Sequence, residues 1–124
     1  MTGLTYDTGA LIAAERGDER MWAIHRRAQE RGQTPTVPAA VMVEAWRGNV
    51  AMARLLVGSV VEPLDSTKAR RAALLLKRSG SSAAVDATVV EGALRRGDAV
   101  VTSDRSDVVA LAEAVGRRLD VIDV

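Results

Sequence analysis

Cysteine and phenylalanine are absent from these 124 residues, and only two tryptophans, one tyrosine, one histidine and three prolines are present. Without cysteine there is no disulfide and no thiolate metal site. A single histidine, His25, leaves a histidine-rich zinc site or a Ser-His-Asp triad without support. Aromatics make up 2% of the chain, so recognition of nucleotide bases by stacked rings is not expected. No apolar run approaches the roughly 20 residues of a membrane span, and no signal-peptide pattern precedes the first strand. A cytoplasmic protein without membrane association is the expectation. Chemistry must rest on carboxylates, hydroxyls and arginines.

What is present fits a soluble globular fold: 48% apolar and 27% charged residues, at a length that suits one domain, 1–124. The formal net charge of +1 hides an unevenness. If five of the 16 acids share a pocket, the remaining surface sets 17 cations against 11 anions. An acidic hollow in a basic surround suits a metal site that receives a polyanion.

The stretch 83–112, AAVDATVVEGALRRGDAVVTSDRSDVVALA, organises the chain. Val85, Val89 and Ala93, with Val90 and Leu94, recur at helical spacing and predict a helix over 85–96. Gly97-Asp98 supplies a turn, and Ala99-Val100-Val101 is the short unbroken apolar run of a central parallel strand. Thr102-Ser103-Asp104 ends it. Ser106 or Asp107 can cap a following helix whose Val108, Leu111, Ala112 and Val115 share one face. Before this stretch come strands at 4–6, 36–37 and 60–64. The helices among them are placed at 10–14, 19–31, 39–46, 51–57 and 67–78, with Pro38 opening the one at 39–46. An alternating edge strand at 119–124 follows. Strands alternating with helices along the whole length predict α/β architecture, a central parallel sheet of four to five short strands in three α/β/α layers.

Acids stand where apolar residues or strand ends surround them: Asp7, Glu44, Asp86 and Asp104, with Asp107 three residues further. Asp7 and Asp104 follow strands, where open α/β sheets place their ligands. Each acid also has an ordinary reading, as a turn residue or helix cap for Asp7, Asp86, Asp104 and Asp107, or snorkelling to solvent for Glu44. Together they suggest a cluster that repels itself until a hard divalent cation, Mg²⁺ or Mn²⁺, compensates it through oxygen ligands. Such an ion polarises a phosphoryl oxygen and activates water for in-line attack.

These residues resemble the PIN-domain endoribonucleases, in particular the VapC-type toxins of bacterial toxin–antitoxin pairs. YDTGALIAAERGD, VPAAVMVEAWRG, VVEPLD, AVDATVV and DAVVTSDRSDVVALA carry the resemblance over essentially the whole chain. It implies a PIN-like α/β/α domain that hydrolyses RNA, of the tRNA or rRNA class, with Mg²⁺ or Mn²⁺. It also implies a homodimer and neutralisation by a cognate VapB-type antitoxin. By position, Asp7, Glu44, Asp86 and Asp104 match the catalytic acids, and Asp7, Asp86, Asp104 and Asp107 the metal-binding set. Whether Asp104 or Asp107 lies nearer the metal is left open. Thr8 and Thr102 match hydroxyls beside the pocket. Arg47, three residues after Glu44 on the same expected helical face, and Arg105 are candidates for substrate phosphates, as are the pairs Arg70-Arg71 and Arg95-Arg96. His25, between charged neighbours, is expected at the surface, and Trp22 and Trp46 in packing.

Three other functions compete. Asp7-Thr8-Gly9 also matches the aspartic-protease triplet, but that fold is almost all β. A response-regulator receiver with Asp65 as phospho-acceptor would want paired acids after strand one and a lysine after strand five, and neither is present. A PIN-fold binding module without catalysis is the third.

Overall fold

The computed structural model describes residues 2–124. Five strands, β1 (Leu4–Tyr6), β2 (Thr36–Pro38), β3 (Val60–Glu62), β4 (Ala99–Thr102) and β5 (Val121–Asp123), form one sheet in the order β3-β2-β1-β4-β5. Every pairing is parallel. The chain runs outward from β1 through β2 to β3, then returns to lay β4 on the other side of β1. That reversal makes β1–β4 the switch point of the sheet, where a crevice opens at the strands' carboxyl ends. Tyr6 is in register with Val101, so Asp7 emerges beside Thr102.

Seven helices cover the sheet: α1 (Thr8–Glu15), α2 (Glu19–Glu30), α3 (Ala39–Ala45), α4 (Val50–Val57), α5 (Ser66–Ser79), α6 (Ala84–Arg96) and α7 (Arg105–Glu113). Among the described residues, no helix is long and apolar enough to cross a membrane. One apolar cluster joins Tyr6, Val37, Val100 and Val101 of the sheet to Leu11, Met21, Val41, Met52 and Leu55. A second joins Leu75 of α5, Val90 of α6 and Leu111 of α7. The central strand β4 is buried throughout, as its apolar run requires.

The edge strands are shorter than their apolar patterns suggest. Pro63, which has no N–H to give to a ladder, ends β3 at Glu62 rather than at residue 64. The 119–120 segment precedes β5 rather than belonging to it. Gly97 closes α6 with φ +72°, the left-handed conformation expected of the turn. Helix α7 begins at Arg105, with Asp104 rather than Ser106 or Asp107 at its N-cap.

His25 is a correction. It is 2% exposed, because Met21, Ile24, His25 and Ala28 form the buried face of α2. Its Nδ1 lies 2.8 Å from the Tyr6 hydroxyl, and burial lowers its pKa. Trp22 stands edge-on to it, with ring centroids 5.9 Å apart, and donates from Nε1 to the Ala14 carbonyl.

Candidate active site

Asp7 leaves β1 as the N-cap of α1. Its Oδ1 accepts from the Thr8 N–H at 2.7 Å, while its Oδ2 accepts from the Thr102 hydroxyl at 2.7 Å. The same Thr102 oxygen accepts from the Asp104 N–H at 3.0 Å. A chain of donors therefore links the ends of β4 and β1 through one hydroxyl. Gly9 lets the two segments meet: a Cβ there would lie 2.8 Å from the Ser103 backbone nitrogen. Glu44 reaches the group from α3, accepting from the Thr8 hydroxyl at 2.7 Å. Asp86 comes from the first turn of α6, and Asp107 from the first turn of α7.

The electrostatics show how far these acids converge. Burial raises the Asp7 carboxyl above its ordinary value; Thr102 and the Thr8 N–H oppose the rise, while the charges of Glu44 and Asp104 add to it. Asp86 is pushed up to about 6, first by burial and then by Asp7, Asp107, Glu44 and Asp104. Asp107 is raised by its hydrogen-bonding contact with Asp104 and by that residue's charge. Acids from four separate stretches thus meet, since Asp7, Glu44, Asp104 and Asp107 all act on Asp86. Among the described residues, however, no three close into a group that would surround an ion as they stand. The donors are all hard oxygens, and two of the carboxyls are partly buried and held toward neutrality. Such a set fits Mg²⁺ or Mn²⁺ better than any softer ion.

The hydroxyls expected beside the pocket are there. Both are engaged by carboxylates, Thr8 by Glu44 and Thr102 by Asp7, so they orient acids. The arginines are less well placed. Helix α3 ends at Ala45 and Trp46 is extended (ψ 124°), so Arg47 does not share the helical face of Glu44. Arg47 instead pairs with Glu15 at 3.5 Å. Arg105 turns to β5, pairing with Asp123 at 2.8 Å and donating to the Val121 carbonyl. Arg95 pairs with Glu91 and Glu62, and Arg96 with Glu62 and Asp98. These last two form an ion-pair network that ties α6 to β3 and β1.

Sequence reasoning left out Arg78. Exposed near the end of α5, it borders a hollow of about 400 Å³ that Asp86 and Asp107 also line. The basic C-terminal turn of α5, next to a Gly-Ser loop and the Asp86 helix, was the available signal.

The five-stranded parallel sheet with its flanking helices is a PIN-like α/β/α fold. Solved structures share this fold. A chain of the DNA-bound VapBC from Salmonella typhimurium matches with a TM-score of 0.62 at 18% identity, over 99% of this chain and 98% of that one. A chain of FitAB bound to an IR36 DNA fragment matches with a TM-score of 0.62 at 17% identity, over 97% and 94%. The sequence matches no protein-family model and no curated protein.

Proposed function

We propose that this chain is a metal-dependent endoribonuclease of the VapC toxin type, hydrolysing RNA phosphodiester bonds and restrained by a cognate VapB-type antitoxin. The observation that carries the reading is the convergence of five acids felt at Asp86, whose carboxyl is raised by burial and by four neighbouring charges. The full-length likeness in fold to chains of the VapBC and FitAB complexes supports it.

In this reading Asp7, Asp86 and Asp104 would hold one or two divalent ions, with Glu44 and Asp107 binding directly or through water. When bound, Mg²⁺ or Mn²⁺ supplies Lewis-acid polarisation of a phosphoryl oxygen and a lowered pKa for water. The protein's own part is positional. Thr102 fixes the rotamer of Asp7 and Thr8 that of Glu44, so the carboxylates face the crevice with little freedom to lose. No side chain need act as nucleophile, and the products carry a 5′-phosphate and a 3′-hydroxyl. The active form is a cytoplasmic homodimer.

The test is cleavage of RNA by purified protein. Asp7→Asn should abolish Mg²⁺-dependent cleavage while circular dichroism shows a folded chain. Full activity of the variant refutes the carboxylate reading, and cleavage that persists in excess EDTA identifies a metal-independent contaminant. Growth arrest on expression, relieved by a small protein encoded next to this one, tests the antitoxin.

A further inference from the structure

The hollow between the α5–α6 hairpin and α7 shares two walls, Asp86 and Asp107, with the acid cluster. Arg78, Ser79 and Ser81 line it as well, together with apolar residues such as Leu111. Of the arginines bordering the acids, Arg47 and Arg105 are committed to carboxylates, whereas Arg78 forms no ion pair among the described residues. Arg78 is exposed to solvent and lines the hollow together with Asp86 and Asp107. The loop that carries the serines is fixed. Ser79 Oγ donates to the Leu76 carbonyl and accepts from the Ser81 N–H at 3.2 Å. Ser81 Oγ accepts from the Ala83 N–H at 3.0 Å, which leaves its own proton for a ligand.

We propose that Arg78 and Ser81 form a phosphate subsite that grips an RNA backbone phosphate neighbouring the one held at the acids. The proposal rests on the nuclease reading above. Five acids in one place repel a polyanion until cations balance them, and a guanidinium lining the same hollow does so without competing for the metal. Its planar fork matches two oxygens of one phosphate, which a lysine cannot reproduce. The contact is to phosphate, so it sets register along the strand and carries no base preference.

The experiment measures binding of a fluorescein-labelled single-stranded oligoribonucleotide in EDTA by anisotropy, across salt from about 50 to about 200 mM. Arg78→Gln should weaken binding roughly tenfold and reduce the salt slope by about 0.7, the value for one phosphate contact to a single strand. Arg78→Lys should keep the slope and recover only part of the affinity. Arg118→Gln removes the same charge at a remote, highly exposed position (94%) and should bind as the unaltered protein does. In Mg²⁺, Arg78→Gln should raise KM more than it lowers kcat. Arg78→Gln binding with the affinity and slope of Arg118→Gln overturns the subsite. If the Arg78 variants behave normally while Asp7→Asn is dead, the subsite alone fails. If Asp7→Asn cleaves fully, the nuclease reading has failed instead.

Discussion

Replacing Asp86 by asparagine should stabilise the metal-free protein at alkaline pH while removing its function. The difference between an ordinary carboxyl at 3.8 and Asp86 at about 6 corresponds to about 3 kcal/mol at full strength. Asp86 is only half-buried, so solvent screening reduces this to roughly half. Its place in the first turn of α6 offsets about another 0.5 kcal/mol, because a helix N-terminus favours negative charge. About 1 kcal/mol of strain remains. The folded-state pKa is raised, so the folded chain binds the proton more tightly than the unfolded one. Stability from this group is complete below about pH 4 and is lost as pH rises through 6. Asp86→Asn escapes that loss. In EDTA at pH 8 its Tm should exceed that of the unaltered protein by about 3–5 °C, and at pH 4 the difference should vanish. Added Mg²⁺ should raise the Tm of the unaltered protein more than that of the variant, since an ion that binds only the folded state stabilises it by mass action. Thermal melts followed by circular dichroism at the two pH values decide the matter. A variant with a lower Tm at pH 8, or with the same Tm difference at both pH values, would refute the idea that the acids strain one another.

Thr102→Val keeps the shape of β4 but leaves Asp7 Oδ2 and the Asp104 N–H without a partner. It should lower stability by about 1–3 kcal/mol in urea unfolding and move the acidic limb of the pH–rate profile upward, because the carboxylate loses a hydrogen bond; an unchanged profile would show that Thr102 does not hold Asp7. Glu62→Gln tests the ion-pair network. Burial alone would raise Glu62, but Arg95 and Arg96 prevail and hold it below its ordinary value. Its contribution is therefore present above pH 4.5 and is lost as pH falls through the lower folded-state value. The variant should lose about 1–2 kcal/mol at pH 7 and nothing near the acid end of the transition; equal losses at both would point to packing instead of charge.

Much of the architecture was legible because the signals were local. The unbroken apolar run Ala99-Val100-Val101 marked a buried strand, and the helical recurrence of Val85, Val89 and Ala93 marked α6. Strand order was not local. That β4 can lie beside β1, and so bring Asp104 near Asp7, was open as one arrangement of a parallel sheet rather than encoded in any periodicity, and it is the arrangement the sheet has. His25 was misplaced because its charged neighbours outweighed a pattern that was present: with Met21, Ile24 and Ala28 buried, position 25 must lie on the same face. Arg47 failed through an overlong helix, since Gly48-Asn49 follows too closely for α3 to continue past Ala45.

The acids and the arginines around this crevice differ in a way that explains the contrast. An aspartate has a short side chain, so its carboxyl lies where the backbone puts it, and strand ends and helix starts fix that place. Asp7, Asp86, Asp104 and Asp107 each sit at such a point, and they were found together. An arginine reaches across several neighbours, and its destination is decided by whichever carboxylate the tertiary fold brings within range. Arg105 follows Asp104 directly in sequence, yet its guanidinium goes to Asp123 on the edge strand. Arg78 lies in the last turn of a helix that carries none of the clustered acids, yet lines the same hollow as Asp86 and Asp107. For a site proposed to hold both a cation and a polyanion, the carboxylate half follows from chain position once the strand order is given. The cationic half follows only from knowing which arginines the fold has left uncommitted.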